Sequence, residues 1–314
     1  MLTVVICTRN GSDTIGRTLD AFCQLHPPSG GWKLVIIDNA SSDSTPEIIR
    51  EFTRKLPLTI IQEPRPGQTL AQNTGISHVE GDFAIFSDDD ILPDPNWLVE
   101  WCRVIDRFPE IDIFGGTIEP EFERPPPAYI QHSGWMGMLY AVTDPKLLEG
   151  PVAPHDATIY GPNMGFRSRL LERGHRFDSQ LMAGPSALLG NETDFVDRAR
   201  KAGSSIGFAP SARVRHIVNK TQITWRWILK RFYRHGRTIY FFENAPGSRQ
   251  SPKLFGAPRY LFRRLLTLTI NVPWVLMTFN RARLLAHLRL IAYDLGAVHQ
   301  AREMHFARSP TSPR

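Results

Sequence analysis

Three cysteines in 314 residues, Cys7, Cys23 and Cys102, are too few and too scattered for a disulfide framework or a zinc site. Their odd number and apolar neighbours mark them as reduced core residues, which points to a cytosolic protein. The stretch Met1-Leu2-Thr3-Val4-Val5-Ile6 lacks the basic region and cleavage site of a signal peptide and is expected to form a first strand. Between Arg264 and Arg281 lie 16 uncharged residues. That run falls short of the about 20 needed to span a bilayer, and it contains Asn271 and Pro273. Acid is scarce in the C-terminal part. Residues 216–314 hold 17 Lys+Arg against 3 Asp+Glu, whereas residues 1–215 hold 20 against 28. The net of +6 thus combines an acidic first part with a basic second part, an asymmetry expected when the second part meets an anionic surface. No nucleic-acid recognition motif accompanies the basic excess, and no internal repeat is visible.

What is present suits a full core: 42% of residues are hydrophobic and 22% charged. The first 120 residues alternate strand and helix signals. Strands are expected at Thr3–Cys7, Lys33–Ile37, Leu58–Ile61 and Asp82–Phe86. Ser12 is expected to cap a helix carrying Ile15, Leu19, Phe22 and Leu25. Ser44-Thr45-Pro46-Glu47 reads as a capping box, and a further helix is expected near Thr69–Ser77. Such alternation implies a parallel sheet with helices on both faces, whose ligand site lies beyond the carboxyl ends of the strands. Thr8, Asp38 and Asp88 each follow a strand and should share one rim. Residues 120–154 read as a long loop rich in proline and glycine. A strand is expected over 159–166 and a helix over 191–202, and the pattern turns helical and basic from Thr221 onward.

At that rim stand three consecutive aspartates, Asp88, Asp89 and Asp90. Adjacent like charges repel, and a hard divalent cation relieves the cost, as would a helix N-terminus or open water. The bland alternative is an acidic cap, with Asp94 and Pro95 opening a helix over 96–108.

Six segments in order carry a resemblance. They are Val4-Val5-Ile6-Cys7-Thr8-Arg9-Asn10, Val35-Ile36-Ile37-Asp38-Asn39-Ala40-Ser41-Ser42-Asp43, Ala71-Gln72-Asn73-Thr74-Gly75, Asp88-Asp89-Asp90, Gly161-Pro162-Asn163-Met164-Gly165-Phe166-Arg167 and Gly190-Asn191-Glu192-Thr193-Asp194-Phe195. Together they resemble the inverting family 2 glycosyltransferases over residues 1–220. The resemblance implies a GT-A fold, that is, an α/β Rossmann-like nucleotide-sugar domain with a mostly parallel sheet. A basic helical region, 221–314, would follow it. It also implies Mn2+ or Mg2+ on Asp90 and Asp88, with His216 as a further candidate ligand. Thr8, Arg9, Asp38, Asn73, Asp88 and Asp89 are expected at the nucleotide sugar. Asp38 and Asn73 could equally be a turn residue and a helix-side polar residue. Members commonly carry Arg where this chain has Gln72, and Arg65 either replaces that arginine or shapes its loop. The usual Gly-Glu-Asp-X-Asp/Glu run is here Gly190-Asn191-Glu192-Thr193-Asp194, so Glu192 falls on the general base and Asp194 is the second candidate. Both could instead be charges favoured at a helix N-terminus. Asn163 and Arg167 are implied beside the donor sugar and acceptor. Trp135 and Tyr140 either border the acceptor or anchor their loop.

The expected activity is metal-dependent inverting transfer from a nucleotide sugar, UDP-linked by preference, to a hydroxyl of a glycan or lipid-linked acceptor. The expected place is the cytoplasmic face of the cell membrane, where an apolar stretch flanked by arginines lies in an anionic interface. Two other readings stay open: a sugar-phosphate nucleotidyltransferase, and a non-catalytic scaffold on the same fold. Against the first, Thr8-Arg9-Asn10-Gly11-Ser12 has one glycine and one arginine with which to hold a triphosphate.

Overall fold

The computed structural model describes residues 1–131, 134–153, 158–179, 181, 188–244 and 252–306. Residues 132, 133 and 154 of the expected loop and residues 245–251 and 307–314 of the C-terminal region lie outside this set.

Two compact units are formed, one from 1–123 with 135–218 and one from 124–134 with 219 onward. In the first, the chain runs β1 (Leu2–Thr8), α1 (Ile15–Phe22), β2 (Trp32–Asp38), α2 (Thr45–Arg50), β3 (Leu58–Gln62), α3 (Gln68–Ile76) and β4 (Phe83–Ser87). The short β5 (Ile91–Pro93), α4 (Trp97–Arg107) and β6 (Ile113–Phe122) follow. Within the second unit, α5 (Ala128–Gln131) is a single turn. The first unit resumes with α6 (Met136–Tyr140), β7 (Gly150–Pro151), a 3-10 turn (Gly161–Asn163), β8 (Met164–Arg167), α7 (Arg169–Glu172), α8 (Asn191–Lys201) and β9 (Ile206–Val218).

The strands form one mixed sheet in the order β3-β2-β1-β4-β8-β6-β9-β5, with β7 also paired to β9. β1 to β4 pair in parallel, as does β6 with β9, while β8 runs antiparallel between β4 and β6. Both faces are buried, which explains the unbroken apolar runs of β1, β2 and β4. Leu2, Val4 and Ile6 face the core under α1, α2 and α4, and Val5 faces the opposite core with α3 and α8.

Helix starts differ in detail from expectation. α1 begins at Ile15 with Thr14 at its cap position, and the Ser12 amide donates to Asp43 Oδ2 at 3.2 Å. Ser44 makes no capping bond. Asp43 Oδ1 instead accepts from the Thr45 amide and hydroxyl at 3.1 and 2.6 Å, so the turn is held one residue earlier than the capping-box pattern suggests. Asn96, not Asp94, stands at the cap of α4, and its side chain faces His26 Nδ1 at 2.8 Å. The stretch 159–166 splits into the 3-10 turn and β8.

The second unit contains α9 (Trp225–Glu243), a small hairpin of β10 (Lys253–Leu254) and β11 (Ala257–Pro258), then α10 (Arg259–Ile270), α11 (Val272–Leu276) and α12 (Arg281–Phe306). Its apolar cluster joins Tyr240, Ala257, Leu261, Ala297 and Ala301. The buried Arg237 is satisfied by Gln300 and Glu303 on α12, at 2.9 and 2.6 Å. Among the described residues, no helix is long and apolar enough to cross a membrane.

Candidate active site

Parallel pairing brings the carboxyl ends of β1, β2 and β4 together. Thr8 lies in register with Asp38, and the Asn39 amide continues the ladder to the Thr8 carbonyl at 2.9 Å. A cleft of about 440 Å3 opens at this rim. It is lined by residues 7–9 at the end of β1, Asn39 after β2, residues 66–68 at the start of α3, and Asp88, Asp89 and Asp90 after β4. Five residues expected at the nucleotide or metal, Thr8, Arg9, Asp88, Asp89 and Asp90, therefore line it, and Arg9 is exposed there.

The three aspartates are half-buried and differently engaged. Asp89 accepts a short hydrogen bond from the Thr8 hydroxyl, and its carbonyl accepts from Thr18 Oγ1 at 2.9 Å. Gly11 passes directly over this pair, where a side chain would overlap Asp89 and Thr8. Burial, then Asp90, pushes the Asp89 carboxyl up to about 7 against the opposing Thr8 bond. Burial pushes Asp88 well above the usual carboxylate range, with Asp90 and Glu192 adding repulsion. The Cys7 thiol is raised by burial and then by Asp88, Asp89 and Glu192.

Asp90 is split between two environments. Its Oδ2 faces His216 Nε2 at 3.2 Å, and its Oδ1 is buried without a hydrogen-bond partner. β5 and β9 set this geometry by pairing Ile91 with His216 and bonding the Ile217 amide to the Asp90 carbonyl at 2.7 Å. His216 Nδ1 faces the Tyr140 carbonyl at 2.8 Å. Burial opposes the imidazolium, but the charge and hydrogen bond of Asp90, the Tyr140 carbonyl and Asp88 outweigh it and raise His216 to about 9. Both ring nitrogens are thus engaged, Nδ1 with the Tyr140 carbonyl and Nε2 with Asp90.

No three His, Cys, Asp or Glu side chains among the described residues form a closed metal cage. The residues present nonetheless fit a cation of the Mg2+ or Mn2+ type, which takes one or two protein carboxylates and completes its shell with water and phosphate. The bare, buried Asp90 Oδ1 is the oxygen such an ion would satisfy.

Glu192, in the first turn of α8, adds a further like charge that acts on Asp88. Asn191 Nδ2 bridges Gln72 Oε1 at 2.7 Å and Glu192 Oε1 at 3.0 Å, and Gln72 Nε2 approaches the same Glu192 oxygen at 3.5 Å. Gly161 leaves the space: a side chain there would overlap Glu192. Asp194 lies two residues further round the helix and takes a different direction. Its Oδ2 pairs with Arg198 at 2.7 Å, one turn along α8.

Other expected residues hold the scaffold. Asn73 clamps the Phe177 backbone, donating to its carbonyl at 2.8 Å and accepting from its amide at 2.9 Å, and it does not line the cleft. Asp38 Oδ1 accepts from the Ser41 amide at 3.1 Å, the turn arrangement weighed from its neighbours. Arg65 is bidentate on Glu63 at 2.9 Å and so shapes its loop. Asn163 is fully buried, bonded to Trp97 Nε1 and the Thr117 and Ala212 carbonyls at 2.8–3.0 Å. Arg167 holds the carbonyls of Ile105, Phe108 and Ile111. Tyr140 is buried edge-on to Phe122. Sequence reasoning missed Asn39, which bonds the Glu63 and Arg65 carbonyls and the Gly67 amide and so fixes one side of the cleft. It also missed the Gln72–Asn191 amide pair. Asn191 next to Glu192 was the one available signal.

Residues 3–174 match the model for "Glycosyl transferase family 2". Glycosyltransferase AglE of Haloferax volcanii is 24% identical over 210 residues, 66% of this chain and 64% of that relative, so the match spans just under two thirds of the relative's length. Succinoglycan biosynthesis protein ExoM of Rhizobium meliloti is 24% identical over 254 residues, 78% of this chain and 77% of that one. Among solved structures, mannosyltransferase PcManGT from Pyrobaculum calidifontis, in complex with GDP-Man and Mn2+, aligns with a TM-score of 0.58 at 18% identity. That alignment covers 98% of this chain and 75% of that one. Residues 1–349 of TarS from S. aureus align with a TM-score of 0.53 at 16% identity, covering 99% and 93%. At such identities the structures share the GT-A fold with this chain.

Proposed function

Because the chain belongs to glycosyl transferase family 2, we propose that this glycosyltransferase performs a divalent-metal-dependent inverting transfer. The donor is a nucleotide sugar, UDP-linked by preference, and the acceptor is a hydroxyl of a glycan or lipid-linked molecule at the cytoplasmic face of the cell membrane. The observation that carries the reading is Asp90, with one carboxylate oxygen on His216 and the other buried and bare.

In this reading Asp90 and Asp88 hold the Mn2+ or Mg2+ ion. Once bound, the ion neutralises the donor diphosphate and the charge on the departing nucleoside diphosphate. Arg9 and Thr8 border the nucleotide, while Asp38 and Asn39 shape its pocket from β2. Asp89 is held by Thr8 and faces the donor. His216 positions Asp90. Glu192 is the general base: it takes the proton from the acceptor hydroxyl as that oxygen attacks the anomeric carbon in line with the leaving diphosphate. Its Oε1 is held by the two amides. The Asp194–Arg198 pair supports Glu192 over Asp194 as base.

PcManGT carries GDP-Man and Mn2+, and TarS is also solved with UDP-GlcNAc, so both nucleotide classes are compatible with the fold. The test is release of nucleoside diphosphate from a panel of UDP-, GDP- and dTDP-sugars with a glycan or lipid extract, with Mn2+ and with EDTA. Release that persists undiminished in EDTA would overturn the metal assignment. Unaltered turnover in Glu192→Gln would overturn the base.

A further inference from the structure

In the second unit, α10, α11 and the turn into α12 carry a surface that the transfer reaction does not use. Leu261 is buried toward α12, and His287 on α12 reaches the Leu268 carbonyl at 2.7 Å. The other side is bare: Leu266, Ile270, Trp274, Leu276, Met277 and Phe279 are all at least half exposed, with Trp274 at 68% and Phe279 at 95%. Exposed apolar side chains of this size, six of them between residues 266 and 279, mark a contact surface rather than scatter. Arg259 and Arg263 stand exposed before them and Arg281 and Arg283 after them, none paired with a described carboxylate. No Asp or Glu occurs from 259 to 293.

We propose that this face docks on an anionic lipid surface. Trp274, Met277 and Phe279 enter the boundary between headgroups and acyl chains, and the four arginines meet the lipid phosphates. The proposal rests on the membrane-near acceptor of the reading above and gives that contact a defined place. Charge complementarity selects the occupant. A second copy of the face would bring eight arginines together with no acid to pair them, whereas an anionic headgroup layer supplies the missing charge. Length selects the mode. α10 has 12 residues. It is thus about 18 Å long against a hydrocarbon core of about 30 Å, and Asn271 separates it from α11, which carries Pro273 in its first turn. The face therefore lies in the interface plane, the arrangement of an amphipathic helix with aromatic anchors.

The test is sedimentation of the full chain with vesicles of phosphatidylcholine alone and of equimolar phosphatidylcholine and phosphatidylglycerol. Binding is expected to the mixed vesicles only and to weaken with salt. It should fall roughly tenfold or more in Arg281→Glu/Arg283→Glu, since each basic residue near the surface contributes on the order of fivefold. A similar fall is expected in Trp274→Ser/Phe279→Ser. Nucleoside diphosphate release without vesicles should be unchanged in both variants, so the docking face and the transferase reading fail separately. Wild-type protein left in the supernatant, or variants that bind like wild type, would overturn the proposal. So would an apolar variant that shifts the oligomeric state by size exclusion while its vesicle binding stays intact, which would assign the face to a protein contact.

Discussion

His216 Nε2 lies 3.2 Å from Asp90 Oδ2, across the antiparallel pairing of β5 with β9. The contact joins residues 126 positions apart, and it leaves the other Asp90 oxygen without a partner. If His216 acts by orienting Asp90, His216→Gln should weaken Mn2+ activation by about 10- to 100-fold, the usual loss for a partner behind a ligand. kcat at saturating Mn2+ should stay close to wild type. Asp90→Asn should lose metal activation altogether. A titration of initial rate against Mn2+ separates the cases, and a wild-type activation constant in His216→Gln would refute the orienting role.

The Gln72–Asn191 bridge yields a second expectation. Glu192→Gln should lower kcat by roughly 10²- to 10⁴-fold, the range for loss of a general base. Asn191→Ala removes an amide donor from the Glu192 carboxylate, and such donors favour the charged form. The base pKa must therefore rise, and the acid limb of the kcat/KM profile should move to higher pH. A pH–rate profile checks this. A lowered plateau with an unmoved limb would show Asn191 to be merely structural.

Gly161 offers a steric version of the same test. A methyl there would overlap the Glu192 carboxylate, so Gly161→Ala should cost kcat more than thermal stability. Comparing the melting temperature with single-turnover rates decides it. An unimpaired rate would mean that Glu192 can shift freely and is not held by this wall.

Much of the parallel half of the fold was legible in the chain. Val4-Val5-Ile6 and Val35-Ile36-Ile37 are apolar without alternation, as strands buried on both faces must be. Asp88–Asp90 were legible at the rim because they follow directly on such a strand, at whose carboxyl end the cleft opens. The antiparallel half was less so. β8 has four residues, and its place between β4 and β6 depends on both neighbours rather than on any local period. Side-chain direction was harder still. Glu192 and Asp194 look alike in sequence, and only the turn of α8 sends one to the aspartates and the other to Arg198. Likewise, Asn163 sits in a motif-bearing segment and proves to be a core bracket.

That bracket is open to measurement. Asn163→Ala would strand the Trp97 indole N–H and two carbonyls in a dry core, at a cost of about 2–4 kcal/mol. The urea midpoint should fall, while the donor KM of the protein that remains folded stays near wild type. A raised KM with an unmoved midpoint would return Asn163 to the donor site.

Glu63 links pH to the shape of the cleft. Its carboxylate is buried, holds Arg65 in two bonds and accepts from Thr74 Oγ1 at 2.7 Å. The Arg65 hydrogen bond leads the causes that hold Glu63 down at about 2, below its usual 4.5, against the opposing effect of burial. A depressed carboxyl contributes stability that is fully present above 4.5 and is lost as pH falls through about 2. The stability difference between wild type and Glu63→Gln should therefore be constant from neutral pH down to about 5 and shrink steadily below that. Because residues 66–68 line the cleft directly beyond this clamp, the same variant should raise donor KM at neutral pH with kcat little changed. Urea melts at a series of pH values, paired with donor saturation curves, test both halves. A pH-independent stability difference would show that the ion pair does not hold the loop, and an unchanged KM would show that the loop does not hold the donor.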